Sequence, residues 1–214
     1  MKYPVFLQAL ALTVVVFIVG IYLGMVLEQR NLTQINKDYI QSEVSLVDIL
    51  ALNNLIDSND FECKTLEEAS FYFMDRVYEE AIKLEDYESS GKFSEELKEV
   101  HKKYDILRTF LWIDLIKTKN ICKSNFSTII YLYNYNEEDL TKKAEQKVWS
   151  EILYQIKKEN ENLFLIPIAV DTNLVSLNTL ISKYNLTSYP AVIVDEKDVF
   201  TEIKTKEEVE YFLR

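Results

Sequence analysis

Cys63 and Cys122 are the only two cysteines of the chain and its most versatile chemical groups. Cys63 precedes a helical stretch that starts near Thr65, and Cys122 follows one that ends near residues 119–120. Two helices joined by a short turn pack antiparallel, so the start of one meets the end of the other. Both thiols then lie at the same end of the hairpin, where a Cα separation of roughly 4.4–6.8 Å permits a disulfide. Three readings are open on these residues alone: a structural bridge, two buried thiols acting as small hydrophobes, or a redox-active pair. Cys63, beside a helix N-terminus, loosely suits the low-pKa thiol that the third reading requires. A bridge closing a loop of about 60 residues contributes about 4 kcal/mol in the chain-entropy description and implies an oxidising compartment.

The remaining reactive residues form no constellation. His101 is the sole histidine, set between Val100 and Lys102 in a helical stretch. That setting suggests a solvated or flanking position, without the partners a triad or zinc site needs. Glu137-Glu138-Asp139 could hold a cation, but acids at a helix start read as compensation of the helix dipole. Asp114, between Ile113 and Leu115, reads as half-buried and structural. Three glycines and no P-loop or dinucleotide motif leave no phosphate cradle. No metal and no cofactor are expected. The net charge of −11, with no basic stripe, argues against nucleic acid as a partner.

The elements that position these residues begin with an apolar run at 4–27, interrupted by Gln8 and Thr13. About 20 apolar residues cross a bilayer as a helix, so lipid is the expected partner of this segment. The run is long and ends in Met-Val-Leu-Glu-Gln-Arg with no small-x-small cleavage site, which favours an uncleaved single-pass anchor over a signal peptide. Gly20 and Gly24 have the GxxxG spacing that lets two such helices approach, so oligomerisation through the span is one option. Lys2 before the span and Arg30 and Lys37 after it nearly balance the positive-inside count. The acidic remainder is placed extracytoplasmically, partly on the cysteines; sequons at Asn31, Asn125 and Asn185 agree with that side.

Beyond the span, Leu32, Ile35, Tyr39, Leu46, Ile49 and Ile56 keep helical spacing, and one continuous helix is compatible with the absence of proline and glycine there. Ser58-Asn59-Asp60 reads as a break. Thr65-Leu66-Glu67-Glu68 has capping-box form and opens a helix with Leu66, Ala69, Phe73, Val77 and Leu84 inward, ending at the turn Glu88-Ser89-Ser90-Gly91. In the next helix Phe93, Leu97, Val100, Tyr104, Leu107 and Leu111 repeat at four, three, four, three, four, a coiled-coil-like seam behind the acidic first turn of Ser94-Glu95-Glu96.

The C-terminal stretch reads β-α-β-α-β-β-α. Thr128-Ile129-Ile130-Tyr131-Leu132-Tyr133 is a strand; a helix runs to about Lys158 with Val148, Ile152 and Ile156 inward. Residues 163–170 form a buried parallel strand in which Pro167 limits ladder bonding. A helix at 174–184, strands at 191–194 and 199–203 across a hairpin, and a helix at 207–213 with Val209 and Phe212 inward complete it.

Ala169-Val170-Asp171 ending a strand, then Ser182-Lys183-Tyr184-Asn185-Leu186 before Thr187-Ser188-Tyr189-Pro190, resembles the thioredoxin superfamily over about 127–214. The resemblance implies a cis peptide at Tyr189–Pro190 and a peptide-binding face around Tyr189, Pro190 and the loop of Asn134, Tyr135, Asn136 and Asp139. Family enzymes place Cys-x-x-Cys at the start of the helix after the first strand; here residues 134–143 hold no cysteine, serine or histidine. The expected class is therefore mixed α+β and α/β, in three parts: an anchor (1–30), a helical hairpin or bundle (31–122) and a thioredoxin-like domain (127–214). The expected function is a redox-silent, membrane-anchored protein that binds or scaffolds a protein or peptide. The alternatives are a thiol–disulfide oxidoreductase, or an accessory of one, using Cys63 and Cys122, and an assembly subunit joined through its span.

Overall fold

A computed structural model describes residues 3–56, 62–89 and 95–213. Helix α1 spans Tyr3–Ile56 without interruption, 54 residues. Its segment Phe6–Leu27 is 22 residues long, apolar enough to cross a membrane, and unburied by the rest of the chain. Apolar surface left uncovered by protein calls for an apolar surrounding. Gly20 and Gly24 face open space. From residue 28 the helix extends roughly 40 Å at ~1.5 Å per residue. There Leu46 is buried in the same core cluster as residues of the next two helices.

Helices α2, Cys63–Ser89, and α3, Glu95–Cys122, form the hairpin. The α3 seam is as expected: Leu97, Val100, Tyr104, Leu107 and Leu111 are all buried, and α2 supplies Leu66, Phe73, Val77 and Leu84. The boundaries differ from the sequence reading. Helix α2 begins at Cys63, so Thr65 lies inside its first turn, its amide bonded to the Glu62 carbonyl at 3.0 Å. Cys122 is the last residue of α3 rather than a residue beyond it. The break at Ser58-Asn59-Asp60, the turn at Ser90-Gly91, and Phe93 and Ser94 lie outside the described residues. Cys63 and Cys122 are disulfide-bonded with Cα atoms 5.5 Å apart, which removes the reading of two free thiols.

Strand β1, Ser127–Tyr133, leads through α4, Leu140–Glu159, to β2, Leu163–Ala169. Helix α5, Val175–Ser182, then precedes the hairpin of β3, Ala191–Val194, and β4, Asp198–Phe200, and α6, Lys206–Glu210, follows. The four strands form one mixed sheet in the order β2-β1-β3-β4. β1 is parallel to β2 and antiparallel to β3. Period-two alternation divides the side chains between two layers. Ile130, Leu132, Ile166, Ile168 and Ile193 join the cluster that holds the α2, α3 and α5 residues. Ile129, Tyr131, Val192 and Val194 pack with Trp149, Leu153, Ile156 and Val209 of α4 and α6. Helical hairpin and sheet thus share one core.

Several details are corrected. The inward stripe of α4 is Trp149, Leu153 and Ile156, while Val148 is 41% exposed; Ile156 is as expected, and the first two positions move on by one because the indole, not the isopropyl group, fills the space under the sheet. Helix α6 starts at Lys206 because Thr205 and Glu208 form a capping box, and it ends at Glu210. β4 stops at Phe200, whose ring meets Phe212 edge-on at 5.2 Å. Pro167 costs the sheet little. Val170 donates to Tyr133 of β1, so even-numbered residues of β2 face β1, while Ala169 donates outward to Asp105. Pro167 shares Ala169's parity on this edge strand, where the missing amide breaks no ladder bond.

Candidate functional site

The sequence-predicted residues meet at one end of the sheet, and the local bonding explains how. Residues 134–139 connect β1 to α4. Asp171, just past β2, accepts the Tyr135 and Asn136 amides on its two carboxylate oxygens, both at 2.8 Å. Gln146 of α4 accepts from the Asn134 amide (2.9 Å) and donates to its carbonyl (3.2 Å). Asn134 Nδ2 donates to Glu137, which also accepts the Asp139 amide. Asp139 is the N-cap of α4, accepting from the amides of Thr141 and Lys142. These donors hold Glu137 and Asp139 below their usual carboxylate range: the Asn134 amide side chain leads for Glu137, and the Thr141 amide for Asp139. The acids of this loop are committed to shaping it. Among the described residues no group of three or more His, Cys, Asp or Glu is placed to hold a metal.

The Tyr189–Pro190 peptide is cis. Ala191 pairs with Leu132, which sets Pro190 beside the end of β1 where the loop begins. Pro190 is buried; Tyr189 is part-buried against the core, and burial pushes its hydroxyl up. The structure therefore brings the loop and the Tyr189–Pro190 dipeptide to the same edge of the domain. The cysteines are elsewhere. Cys122 leads into the start of β1, and the seven-residue strand separates the two ends by roughly 20 Å at ~3.3 Å per residue.

Sequence reasoning missed a buried polar cluster at the loop end. His101 is not solvated: it is 4% exposed. Its ring stacks on Tyr135 at 3.9 Å, and its Nε2 lies 3.2 Å from the Tyr133 hydroxyl and 3.5 Å from Asp105. Asp105 is fully buried, accepts the Ala169 amide at 3.2 Å and faces Arg108 at 3.4 Å. Burial pushes the Asp105 carboxyl above its ordinary range, against the pull of His101, Arg108 and the Ala169 amide. The cluster exists because the ends of β1 and β2 dock on the first half of α3. Its signal was the spacing 101, 105, 108, which puts three ionisable groups on one helical face. Asp114, expected half-buried, is buried and accepts from the Ser70 hydroxyl at 2.8 Å.

Beside this cluster a cavity of about 760 Å³ opens along the free edge of β2, between α2 and α4. His101, Arg108, Tyr133 and Tyr135 line one end of it; Tyr189 and Pro190 do not line it. At the edge itself, Lys157 Nζ donates to the Leu163 carbonyl and Asp105 accepts from Ala169. Leu165 and Pro167 lie between these two contacts and border the cavity. No protein-family model, curated protein or solved structure matches the chain.

Proposed function

We propose that the chain is a single-pass membrane protein carrying a thioredoxin-like domain that lacks the family's redox pair, and that this domain binds a protein or peptide partner. The strand order β2-β1-β3-β4, with its parallel and antiparallel pairs, supports the fold reading. One observation carries the functional reading. The loop 134–139 and the Tyr189–Pro190 dipeptide share the face where the family binds peptide, while both cysteines are bridged at the opposite end of β1. A partner on that face would meet an ordered loop and no thiol. The bridge favours an oxidising, extracytoplasmic side for residues 62–214, and Phe6–Leu27 supplies the anchor.

The competing reading, an oxidoreductase or its accessory working through Cys63 and Cys122, draws on the position of Cys63 as the first residue of a helix. Insulin-disulfide reduction by the full chain in phospholipid nanodiscs separates the two. The binding reading expects no rate above that of empty discs with the same reductant. Turnover that disappears in Cys63→Ser would establish the enzyme instead.

A further inference from the structure

We propose that the cavity beside β2 binds a small amphipathic monocarboxylate, its apolar body between α2 and α4 and its carboxylate on Arg108. This goes beyond partner binding at the Tyr189–Pro190 face, since neither of those residues borders the cavity. At about 760 Å³ the space falls within the usual range of small-molecule sites. Its walls are largely apolar and aromatic, including Val77, Ile82, Leu111, Leu153 and Tyr154.

Among the described residues Arg108 is the one permanent cation of that lining, and it is only 7% exposed. A guanidinium carries five N–H donors in a planar fork. Among the described residues its single acceptor is Asp105, at 3.4 Å, long for a charge-assisted bond. None of its other donors is a buried unpartnered atom, and the residue borders the cavity. A carboxylate entering there meets a fork that matches it in the bidentate manner.

The neighbouring groups narrow the charge. Asp105 lies beside Arg108, and Glu151 also borders the cavity. Both disfavour a dianion, so a phosphate monoester fits less well than a carboxylate. The apolar walls select the body: an uncharged chain or ring displaces water from Leu and Ile side chains, whereas a small hydrophilic acid gains nothing there.

The test is calorimetric titration of the full chain, in zwitterionic phosphatidylcholine nanodiscs, with 6-phenylhexanoate, empty discs being subtracted. The expected result is saturation at one equivalent, with 6-phenylhexanol bound roughly 10- to 100-fold more weakly, the usual range for a lost charge-assisted bond. Arg108→Gln is expected to lower the acid to the level of the alcohol and to leave the alcohol unchanged. Because that substitution also strips Asp105 of its neighbour, Ile82→Trp is the second variant. Ile82 sits at the exposed rim, and the larger ring fills the space without touching the charges, so binding of the acid should be lost. Absence of saturation, equal affinity for acid and alcohol, unchanged acid affinity in Arg108→Gln, or unchanged affinity in Ile82→Trp would each overturn the proposal.

Discussion

The two ends of β1 are built on opposite plans. At its start the two helices of the hairpin are joined covalently to each other, and the hairpin is tied to the sheet by ions. Cys63–Cys122 closes the hairpin, and Lys119 reaches Asp195 at 2.6 Å. Asp195 also accepts the Thr128 amide at 2.9 Å. Asp195 and Glu196 carry positive φ values of 47° and 58°, and the Lys197 amide closes the turn onto Val194. At the other end the contacts are a long Asp105–Arg108 ion pair at 3.4 Å, neutral-to-ionic hydrogen bonds, a stacked histidine, and a loop held by Asp171 and Gln146, with open volume beside them. The contrast is one of rigidity. One end is closed by a bridge and part-buried ions, and the other leaves open volume beside a loop held by hydrogen bonds.

The largest test of this contrast is to cut the fixed end. Cys63→Ser with Cys122→Ser removes a closure of a loop with sequence separation 59 and should cost about 4 kcal/mol, read as a lower denaturant midpoint of the full chain. A loss confined to a few tenths would show that the hairpin does not depend on its bridge. Next comes the register of α4, which walls the open end. Leu153→Ala should cost roughly 2–5 kcal/mol, whereas Val148→Ala should stay within about 0.5 kcal/mol; the reverse order would return the inward stripe to Val148. Lys119→Met leaves the buried Asp195 carboxylate without its cation and should cost about 2 kcal/mol, less than a fully buried pair because Lys119 is part-exposed.

The smallest expected effect is a slope. The Asp105 carboxyl titrates above its ordinary 3.8 in the folded chain, so the folded state holds that proton more tightly than the unfolded state does. Its contribution favours the fold below the unfolded value and is lost as pH rises through the folded one. Stability of the native chain relative to Asp105→Asn should therefore fall as pH rises above the ordinary value of 3.8. A relative stability that rises with pH above that value would mean that His101, Arg108 and the Ala169 amide outweigh burial.

Much of the framework was legible in the sequence because the strands are β-branched and aromatic runs and the α3 seam is regular. Buried strands such as 163–169 can be read from composition alone. What escaped was decided by packing partners. α3 touches α2 on one side and the sheet on the other, so its buried arc is wider than a two-helix seam, and His101, Asp105 and Arg108 fall in the added sector. Val148 and Trp149 are both apolar, and only the depth available beneath β1 selects the indole. The cavity could not be read at all, since it is bounded by α2, α3, α4 and β2, which are distant in the chain and meet only in the fold. The cis Tyr189–Pro190 peptide and the connection 134–139 between β1 and α4 were legible because each carries a local signature.

The most direct test of the recognition reading is site-specific photo-cross-linking of the full chain in its native membrane. A photoreactive residue is placed in turn at Asn136, at Tyr189, and at Lys123 beside the disulfide. Discrete protein or peptide adducts from Asn136 and Tyr189 but not from Lys123 are the predicted result. Adducts from Lys123 alone would put the working surface at the cysteine end and contradict the account.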